Sequence, residues 1–249
     1  MDLATPALVL RTRSYGESDR IVTLLTEHHG KLAGIAKGAR NSRRRFAGTL
    51  EPFVHVRAVF RARPASELVF LQRCELLKVL PSFHRDLERF TAGSYVLDLT
   101  DRMVLGPESG RGVYTLVAEA LGALDRGAPP APLLRAFEMR LLALAGWGPV
   151  LDRCRSCDAT LDAAPTMYLA ADRAGLLCRR CVPPDIPVRP VGAAVLRDLG
   201  RLATVPLETA ASVASGARLA EAAAVAEQLL EVVTMGPVRS RAFLDLGVR

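Results

Sequence analysis

Four cysteines in two closely spaced pairs constrain this chain more than any other feature of its sequence. The pairs are Cys154-x-x-Cys157 and Cys178-x-x-Cys181, and 20 residues lie between them. Two residues between cysteines allow a tight turn to aim both thiolates at one point, so two turns can supply a tetrahedral shell of four sulfurs. The spacing predicts one structural Zn²⁺ bound by all four cysteines. Because sulfur would fill every position around the ion, no open site would remain to activate water.

Two other uses of the cysteine pairs stay open on spacing alone. A rubredoxin-like iron site uses similar soft ligands, and disulfides or a redox C-x-x-C motif would need no metal. The N-terminal sequence MDLATPALVLRTRSYGESDR lacks the pattern of a secretion signal. No apolar run approaches the ~20 residues that cross a bilayer. We therefore expect a cytoplasmic protein without membrane contact, in which Cys74, the fifth cysteine, is a buried reduced thiol.

The positive charge of the chain is concentrated in its N-terminal third. Residues 1–80 contain 14 lysines and arginines but only 7 acidic residues, and this excess equals the net charge of +7 of the whole chain. The remaining 169 residues are neutral overall. A basic surface on one part of a protein is the electrostatic feature expected where phosphates bind. The alternative is that these cations only solvate the surface.

The same N-terminal third has the period-two pattern of β-strands. In PFVHVRAVFRAR, the side chains of Val54, Val56, Ala58 and Phe60 would share one face of a strand. Four further apolar runs of strand length, ALVLRTR, RIVTLLT, KLAGIAK and LVFLQRC, are separated by turn-forming residues. Five short strands without a long helix between them predict a five-stranded OB-fold barrel over residues 1–80.

The segment Lys37–Phe46 is the densest group of cations, and its glycine, asparagine and serine favour a mobile loop. Such cations can neutralise successive phosphates of a nucleic-acid strand. Base stacking would need exposed aromatic rings, but Tyr15, Phe46 and Phe53 are each expected to lie in the core, which favours binding independent of sequence. The predicted DNA-binding residues are the cations of this region: Lys31, Lys37, Arg40, Arg43, Arg44, Arg45, Arg57 and Arg61.

Beyond Pro81 the apolar period becomes helical. One stripe follows the spacing i, i+3, i+4, i+7, i+8 and i+11 along Val113, Leu116, Val117, Ala120, Leu121 and Leu124. We predict an α+β protein with a mostly α-helical second domain over residues 81–249. The cysteine segment, about 150–188, is rich in prolines and turns and would form a zinc knuckle inserted in that domain.

No catalytic motif is evident in the sequence. A P-loop, a GxGxxG turn after a strand and HExxH are all missing from it, so we predict a non-catalytic protein. The main alternative is a zinc-stabilised, metal-dependent nuclease that uses the basic barrel, with Glu17, Asp19 and Glu27 as the clustered carboxylates. A protein-interaction scaffold is a third possibility.

Several stretches resemble the family of the bacterial recombination mediator RecO. The first and most specific is YGESDRIVTLLTEHHGKLAGIAKGARNSRRRFAGTLEPF; WGPVLDRCRSCD, LLCRRC and GPVRSRAFLDLG extend the resemblance over essentially the whole chain. Two positions depart from the family pattern. Asp158 stands where a glycine often follows the second cysteine, and Arg44 stands where a small polar residue is common.

The resemblance implies an N-terminal OB-fold, a helical C-terminal domain and, in members with the cysteines, a zinc site. It also implies binding of single- and double-stranded DNA, annealing of complementary strands, and cooperation with RecR in loading RecA onto strands coated by single-strand-binding protein. Some relatives lack the cysteines, which implies that the metal is not part of the shared activity. The expected location is the cytoplasm, in association with the nucleoid.

Overall fold

The chain forms two compact units. The first comprises residues 1–126 together with residues 243–249, and the second comprises residues 127–242. A computed structural model describes residues 2–62, 66–106, 110–162, 166–184 and 188–247. Among these described residues, no helix is both long enough and apolar enough to cross a membrane.

The first unit begins with a closed five-stranded β-barrel, as predicted. Its strands, in chain order, are β1 (Asp2–Tyr15), β2 (Asp19–Thr26), β3 (Gly30–Ala36), β4 (Val54–Arg61) and β5 (Leu68–Val79). They pair around the barrel in the order β1-β2-β3-β5-β4, and β4 closes it against β1. All pairs are antiparallel except β3 with β5. This strand order gives the OB-like architecture that the alternating pattern predicts.

Strand β4 shows how the sequence pattern builds the barrel interior. Val54, Val56, Ala58 and Phe60 are all buried in one apolar cluster, as their alternation predicts. The cluster continues on β1 and β2 and includes Cys74, which is buried and reduced as expected. Burial raises the pKa of the Cys74 thiol to about 12, so this cysteine stays protonated.

Two helices belong to the same compact unit as the barrel, which therefore extends beyond the predicted 1–80 domain. They are α1 (Leu87–Met103) and α2 (Gly110–Asp125). α1 contacts β1, and α2 contacts β1, β2 and β3. Leu8, Ile21 and Leu25 alternate with interior residues and so lie on the outer face of the barrel, yet they are buried. The outer face of β1 to β3 is therefore covered over part of its length.

Gly93 lies within α1, where the absence of a side chain permits close packing against two aromatic rings. A Cβ atom at this position would lie 2.5 Å from the Phe83 ring and 2.8 Å from the Phe53 ring. These two rings stack with their centroids 4.4 Å apart. Only glycine leaves room for the stacked rings against the helix.

The second unit combines three helices with a small sheet. The helices are α3 (Pro130–Leu144), α4 (Ala193–Leu202) and α5 (Gly216–Val233). The sheet has the order β6-β8-β7-β9, with β6 (Val150–Cys154), β7 (Thr166–Ala170), β8 (Gly175–Leu177) and β9 (Arg189–Gly192). It coincides with the predicted insert at about 150–188, of which residues 163–165 and 185–187 lie outside the described part of the chain.

The predicted apolar stripe of α2 is confirmed. All six stripe residues of α2 are buried. In α3 the buried set also includes Arg135 and Glu138, which form an ion pair inside the unit. Pairing offsets part of the cost of removing both charges from water.

Candidate nucleic-acid interface and metal centre

The β3–β4 connection, residues 37–53, is called the basic loop below, and its apolar residues close one end of the barrel. Ala39, Phe46 and Leu50 all belong to the buried barrel cluster. Because these three side chains point inward, the polar residues between them are directed to the surface. The loop therefore presents its cations on a packed base.

Hydrogen bonds fix the basic loop to the neighbouring β1–β2 turn and to β5. The Asp19 carboxylate accepts a hydrogen bond from the Gly38 N–H at 2.8 Å, and the Ser18 carbonyl accepts one from the Arg40 N–H at 3.0 Å. The Arg45 carbonyl accepts the Cys74 N–H of β5 at 2.9 Å. These bonds hold the backbone of the loop at three points, and the mobility expected from its composition stays a prediction.

Five of the eight predicted DNA-binding residues lie together on this loop and are exposed: Lys37, Arg40, Arg43, Arg44 and Arg45. The Arg40 guanidinium donates to the Glu17 carbonyl at 3.1 Å, and that of Arg45 donates to the Lys37 carbonyl at 2.8 Å. Neutral carbonyls orient these cations without cancelling their charge. The side chains of Arg43 and Arg44 have no polar partner within the described residues.

Lys31 lies apart from the loop cations. Its ammonium group bonds to the Asp101 backbone carbonyl and lies 3.2 Å from the Asp101 carboxylate, on α1. Only 18 % of its side chain is exposed. Helix α1 thus holds this charge against the barrel, which the strand pattern alone could not reveal.

Arg57 and Arg61 lie on the outer face of β4, between β1 and β5, and not with the loop cations. Arg57 is opposite Pro6 on one side and Glu75 on the other. Arg61 forms an ion pair with Asp2 at 2.8 Å. The hydrogen bond from Arg61 holds the pKa of the Asp2 carboxyl below its ordinary value, and Asp2 in turn raises the pKa of Arg61. Arg57 is exposed and forms no ion pair with a described residue.

Two exposed residues at the end of β1, Arg13 and Tyr15, were not among the predicted site residues. Arg11, Arg13 and Tyr15 alternate along the outer face of this strand. Arg13 is exposed, and Tyr15 is 53 % exposed although it was expected to be buried. The same expectation is confirmed for Phe46 and Phe53, which are buried. A strand-end position beside a turn is the signal that could have identified Tyr15 as exposed.

The carboxylates considered for a nuclease do not come together. Asp19 begins β2 and binds the Gly38 N–H, whereas Glu27 follows the other end of that strand and pairs with Arg111 at 3.4 Å. Within the described ranges, the four cysteines are the one group of three or more His, Cys, Asp or Glu side chains close enough to share an ion.

Parallel pairing of β6 with β8 brings the two cysteine pairs together. Cys154 is the last residue of β6 and pairs in register with Leu176 of β8, and Cys178 directly follows β8. Because parallel strands end at the same edge of a sheet, both C-x-x-C turns start from neighbouring positions. Each turn is closed by a hydrogen bond to the carbonyl of its first cysteine, from Asp158 in one and Cys181 in the other, each at 2.9 Å.

The four sulfur atoms fit a tetrahedral metal site. All lie within 4.8 Å of one another, and the Cys157 and Cys178 sulfurs are 3.6 Å apart. Four Zn–S bonds of about 2.3 Å in a tetrahedron separate the sulfurs by about 3.8 Å. The Ser156 N–H also points to the Cys154 sulfur at 3.4 Å. The predicted four-cysteine cluster is therefore confirmed as a group that could hold a metal ion.

The thiols of this cluster differ in how readily they ionise. Burial raises the pKa of Cys154, but hydrogen bonds from the backbone of Cys178, Ser156 and Cys157 outweigh it and lower the pKa to about 6. For Cys181, Ser156 lowers the pKa, but hydrogen bonds with neighbouring cysteines raise it to about 12. In the absence of a metal, some of these sulfurs keep a proton that hydrogen bonds to a neighbouring sulfur. Binding of a divalent cation would release these protons.

Asp158, the position that departs from the family pattern, has a left-handed backbone with φ of 57°. This conformation favours glycine, although aspartate tolerates it better than most residues. The departure therefore leaves the turn intact at some conformational cost.

A closed OB-like barrel with a cationic end, followed in the chain by a helical unit with a four-cysteine group, defines a modular α+β protein with a candidate metal centre. Residues 1–80 match the family description "Recombination protein O N terminal", and residues 84–242 match "Recombination protein O C terminal". The chain belongs to the RecO family of DNA repair proteins, consistent with the role of a recombination mediator.

Relatives named DNA repair protein RecO are similar over most of the chain. The protein from an Anaeromyxobacter species (strain Fw109-5) is 39 % identical over 201 residues, which is 80 % of this chain and 78 % of that protein. The Syntrophus aciditrophicus protein is 36 % identical over 78 % of this chain and 76 % of its own length. The Bifidobacterium adolescentis protein is 33 % identical over 96 % of this chain and 97 % of its own length.

Proposed function

We propose that this protein is a non-catalytic recombination mediator that binds single- and double-stranded DNA through the basic end of its barrel and anneals complementary strands. The observation that carries this proposal is the group of five exposed cations on the anchored basic loop, beside the β1–β2 turn. In OB-folds this turn and the face of strands 2 and 3 bind oligonucleotides. The names of the relatives, which refer to DNA repair, agree with a DNA ligand.

Phosphate neutralisation explains how such a surface would promote annealing. Each cation that contacts a phosphate releases condensed counterions and lowers the local negative charge. Two complementary strands held near one cationic surface repel each other less, so pairing becomes faster. Lys37, Arg40, Arg43, Arg44 and Arg45 would carry this role, with Arg57 as a secondary contact on β4. Lys31 and Arg61 contribute less, because each already pairs with a carboxylate.

Partners and location follow from the family resemblance. We infer that the protein cooperates with RecR to load RecA onto DNA coated by single-strand-binding protein, in the cytoplasm near the nucleoid. A reconstituted loading reaction tests this inference. RecA-dependent ATP hydrolysis on strands coated with single-strand-binding protein should rise only when this protein and RecR are both present.

We also propose that the four cysteines hold one structural Zn²⁺. The donor set, entirely sulfur and arranged by two short turns, suits zinc and leaves no position for a substrate. Elemental analysis should find about one zinc per chain. A coloured protein with bound iron would contradict this assignment.

An annealing assay separates the mediator from the alternative nuclease. Labelled complementary strands are incubated with purified protein and either Mg²⁺ or Mn²⁺, and the products are separated under native and denaturing conditions. The proposal predicts faster duplex formation with every labelled strand at full length. Shortened strands would support the nuclease, and failure to retain any DNA on a filter would support a protein-interaction scaffold.

A further inference from the structure

We propose that Tyr15 is a stacking platform for an unpaired base and gives the barrel a preference for single-stranded over double-stranded nucleic acid. This inference rests on the proposed DNA-binding function and adds a contact to the base, not only to the phosphates. Its starting point is the 53 % exposure of Tyr15, whereas Phe46, Phe53 and Phe60 of the same unit are buried.

The position of Tyr15 is fixed by the fold around it. It is the last residue of β1 and pairs in register with Asp19, the first residue of β2. The Asp19 carboxylate accepts hydrogen bonds from the Ser18 hydroxyl at 3.2 Å and from the Gly38 N–H at 2.8 Å. The backbone that carries the ring is therefore tied to the basic loop, which reduces the conformational entropy lost when a base stacks on it.

Cations occupy positions next to Tyr15 along β1 and in the neighbouring turn and loop. Arg13 lies two residues away on the same outer face of β1 and is exposed. Lys37 directly follows the last paired residue of β3, and the Arg40 guanidinium donates to Glu17 in the turn after Tyr15. A strand whose phosphates contact these cations would have bases within reach of the ring.

The two helices of the barrel unit leave this end of the outer face open. Near the opposite end of β3, Lys31 binds Asp101 of helix α1. Leu25, which pairs with Lys31 in the sheet, is buried. Arg13, Tyr15 and Lys37, at the other end of the same three strands, are exposed. The exposed end of this outer face thus carries the Tyr15 ring together with the cations Arg13 and Lys37. Aromatic rings among cations are the combination with which proteins bind single strands.

Stacking requires an unstacked base, so the ring should distinguish ligands by the availability of their bases. A single strand offers bases to the ring, whereas a duplex keeps them paired inside. An abasic strand with the same number of phosphates offers only charge. Loss of one stacked base should weaken binding about 5- to 100-fold.

Fluorescence anisotropy with three labelled ligands tests the proposal: an oligothymidine, an abasic oligomer of equal length and a duplex. Tyr15→Ala should weaken oligothymidine binding about 5- to 100-fold and leave duplex and abasic binding within about twofold of wild type. Tyr15→Phe, which keeps the ring, should behave as wild type. Trp147→Ala removes a ring of similar exposure, 50 %, from the second unit and should change none of the three affinities.

Several results would overturn the proposal. Equal loss on all three ligands would show that Tyr15 only supports the fold of the loop, and thermal melting of the variant would show the same damage. Unchanged oligothymidine binding would exclude stacking, as would a Tyr15→Phe variant as weak as Tyr15→Ala. If wild-type protein binds none of the ligands, the proposed function itself fails. If it binds all three with salt dependence while Tyr15→Ala matches it, only the stacking inference fails.

Discussion

The basic loop of the barrel and the cysteine insert of the second unit are held in place by different interactions. Three apolar side chains anchor the basic loop inside the barrel, and hydrogen bonds fix it to neighbouring strands. The insert has short strands and brings four thiols within 4.8 Å of one another. The apolar anchors of the basic loop leave its cations on the surface, whereas the insert directs four cysteine side chains to one point, where a metal ion could join the two turns.

Metal removal should give the largest difference between the two regions. Cys154→Ser should abolish stoichiometric metal binding and destabilise the second unit by several kcal/mol, because metal binding supplies much of the folding free energy of small metal sites. DNA affinity of the barrel should stay within about twofold of wild type. Elemental analysis, calorimetry and a DNA titration on one preparation measure all three quantities.

The fifth cysteine provides the matched control for that experiment. Cys74 is buried in the barrel core and is not part of the four-cysteine group. Cys74→Ala should leave the metal content unchanged and lower only the stability of the barrel unit. Loss of DNA binding in Cys154→Ser but not in Cys74→Ala would contradict the separation of roles.

Gly93→Ala should produce the next largest effect, confined to the first unit. A methyl group would meet the stacked Phe53 and Phe83 rings at 2.5 to 2.8 Å, so we expect a loss of about 1–3 kcal/mol in the free energy of unfolding. Gly122→Ala is the control, because its nearest neighbour is the flexible end of Arg126 at 3.1 Å. Chemical denaturation that finds equal losses for both variants would refute the close contact.

Asp158→Gly should stabilise the cysteine insert slightly. Glycine removes the strain of the left-handed backbone at this position, which stabilises the folded state. Glycine also increases the conformational entropy of the unfolded chain, so the net gain in the free energy of unfolding should be about 0.5 kcal/mol. Asp162→Gly, at a position without positive φ, should destabilise instead. Thermal melting of wild type and both variants with zinc bound measures these effects. A melting temperature of Asp158→Gly below that of wild type would contradict backbone strain at Asp158.

The smallest expected effect concerns pH and the barrel unit. Burial lowers the pKa of His55 from its ordinary value of 6.5, and Lys78 adds to this while Glu27 opposes it. As pH falls through about 6.5, the unfolded chain gains a proton that folded His55 does not, so stability declines. His55→Gln, which can still hydrogen bond with Tyr114, should flatten this decline between pH 7 and 5. Denaturation midpoints measured against pH test this, and an equal decline in wild type and His55→Gln would contradict it.

Local patterns made much of this architecture predictable. Alternation along β4 located the barrel interior, and cysteine spacing located the cluster, because both depend on residues close in sequence. The burial predicted for Tyr15 was wrong, and the pairing of Lys31 with Asp101 was not foreseen, because both depend on which helix covers which part of the barrel. Arg57 was grouped with the loop cations because its place in the barrel depends on strand order. Strand order is set by pairings between residues distant in sequence.

The salt dependence of DNA binding tests the central claim most directly, when measured on two variants that lose the same charge. Arg43→Ala/Arg44→Ala removes two exposed arginines from the basic loop, and Arg179→Ala/Arg180→Ala removes two from the second cysteine pair. The first variant should reduce the slope of log K against log salt by about 2 on duplex DNA, and the second should leave it unchanged. An unchanged slope for the first variant, or an equal reduction in both, would contradict the assignment of DNA binding to the barrel.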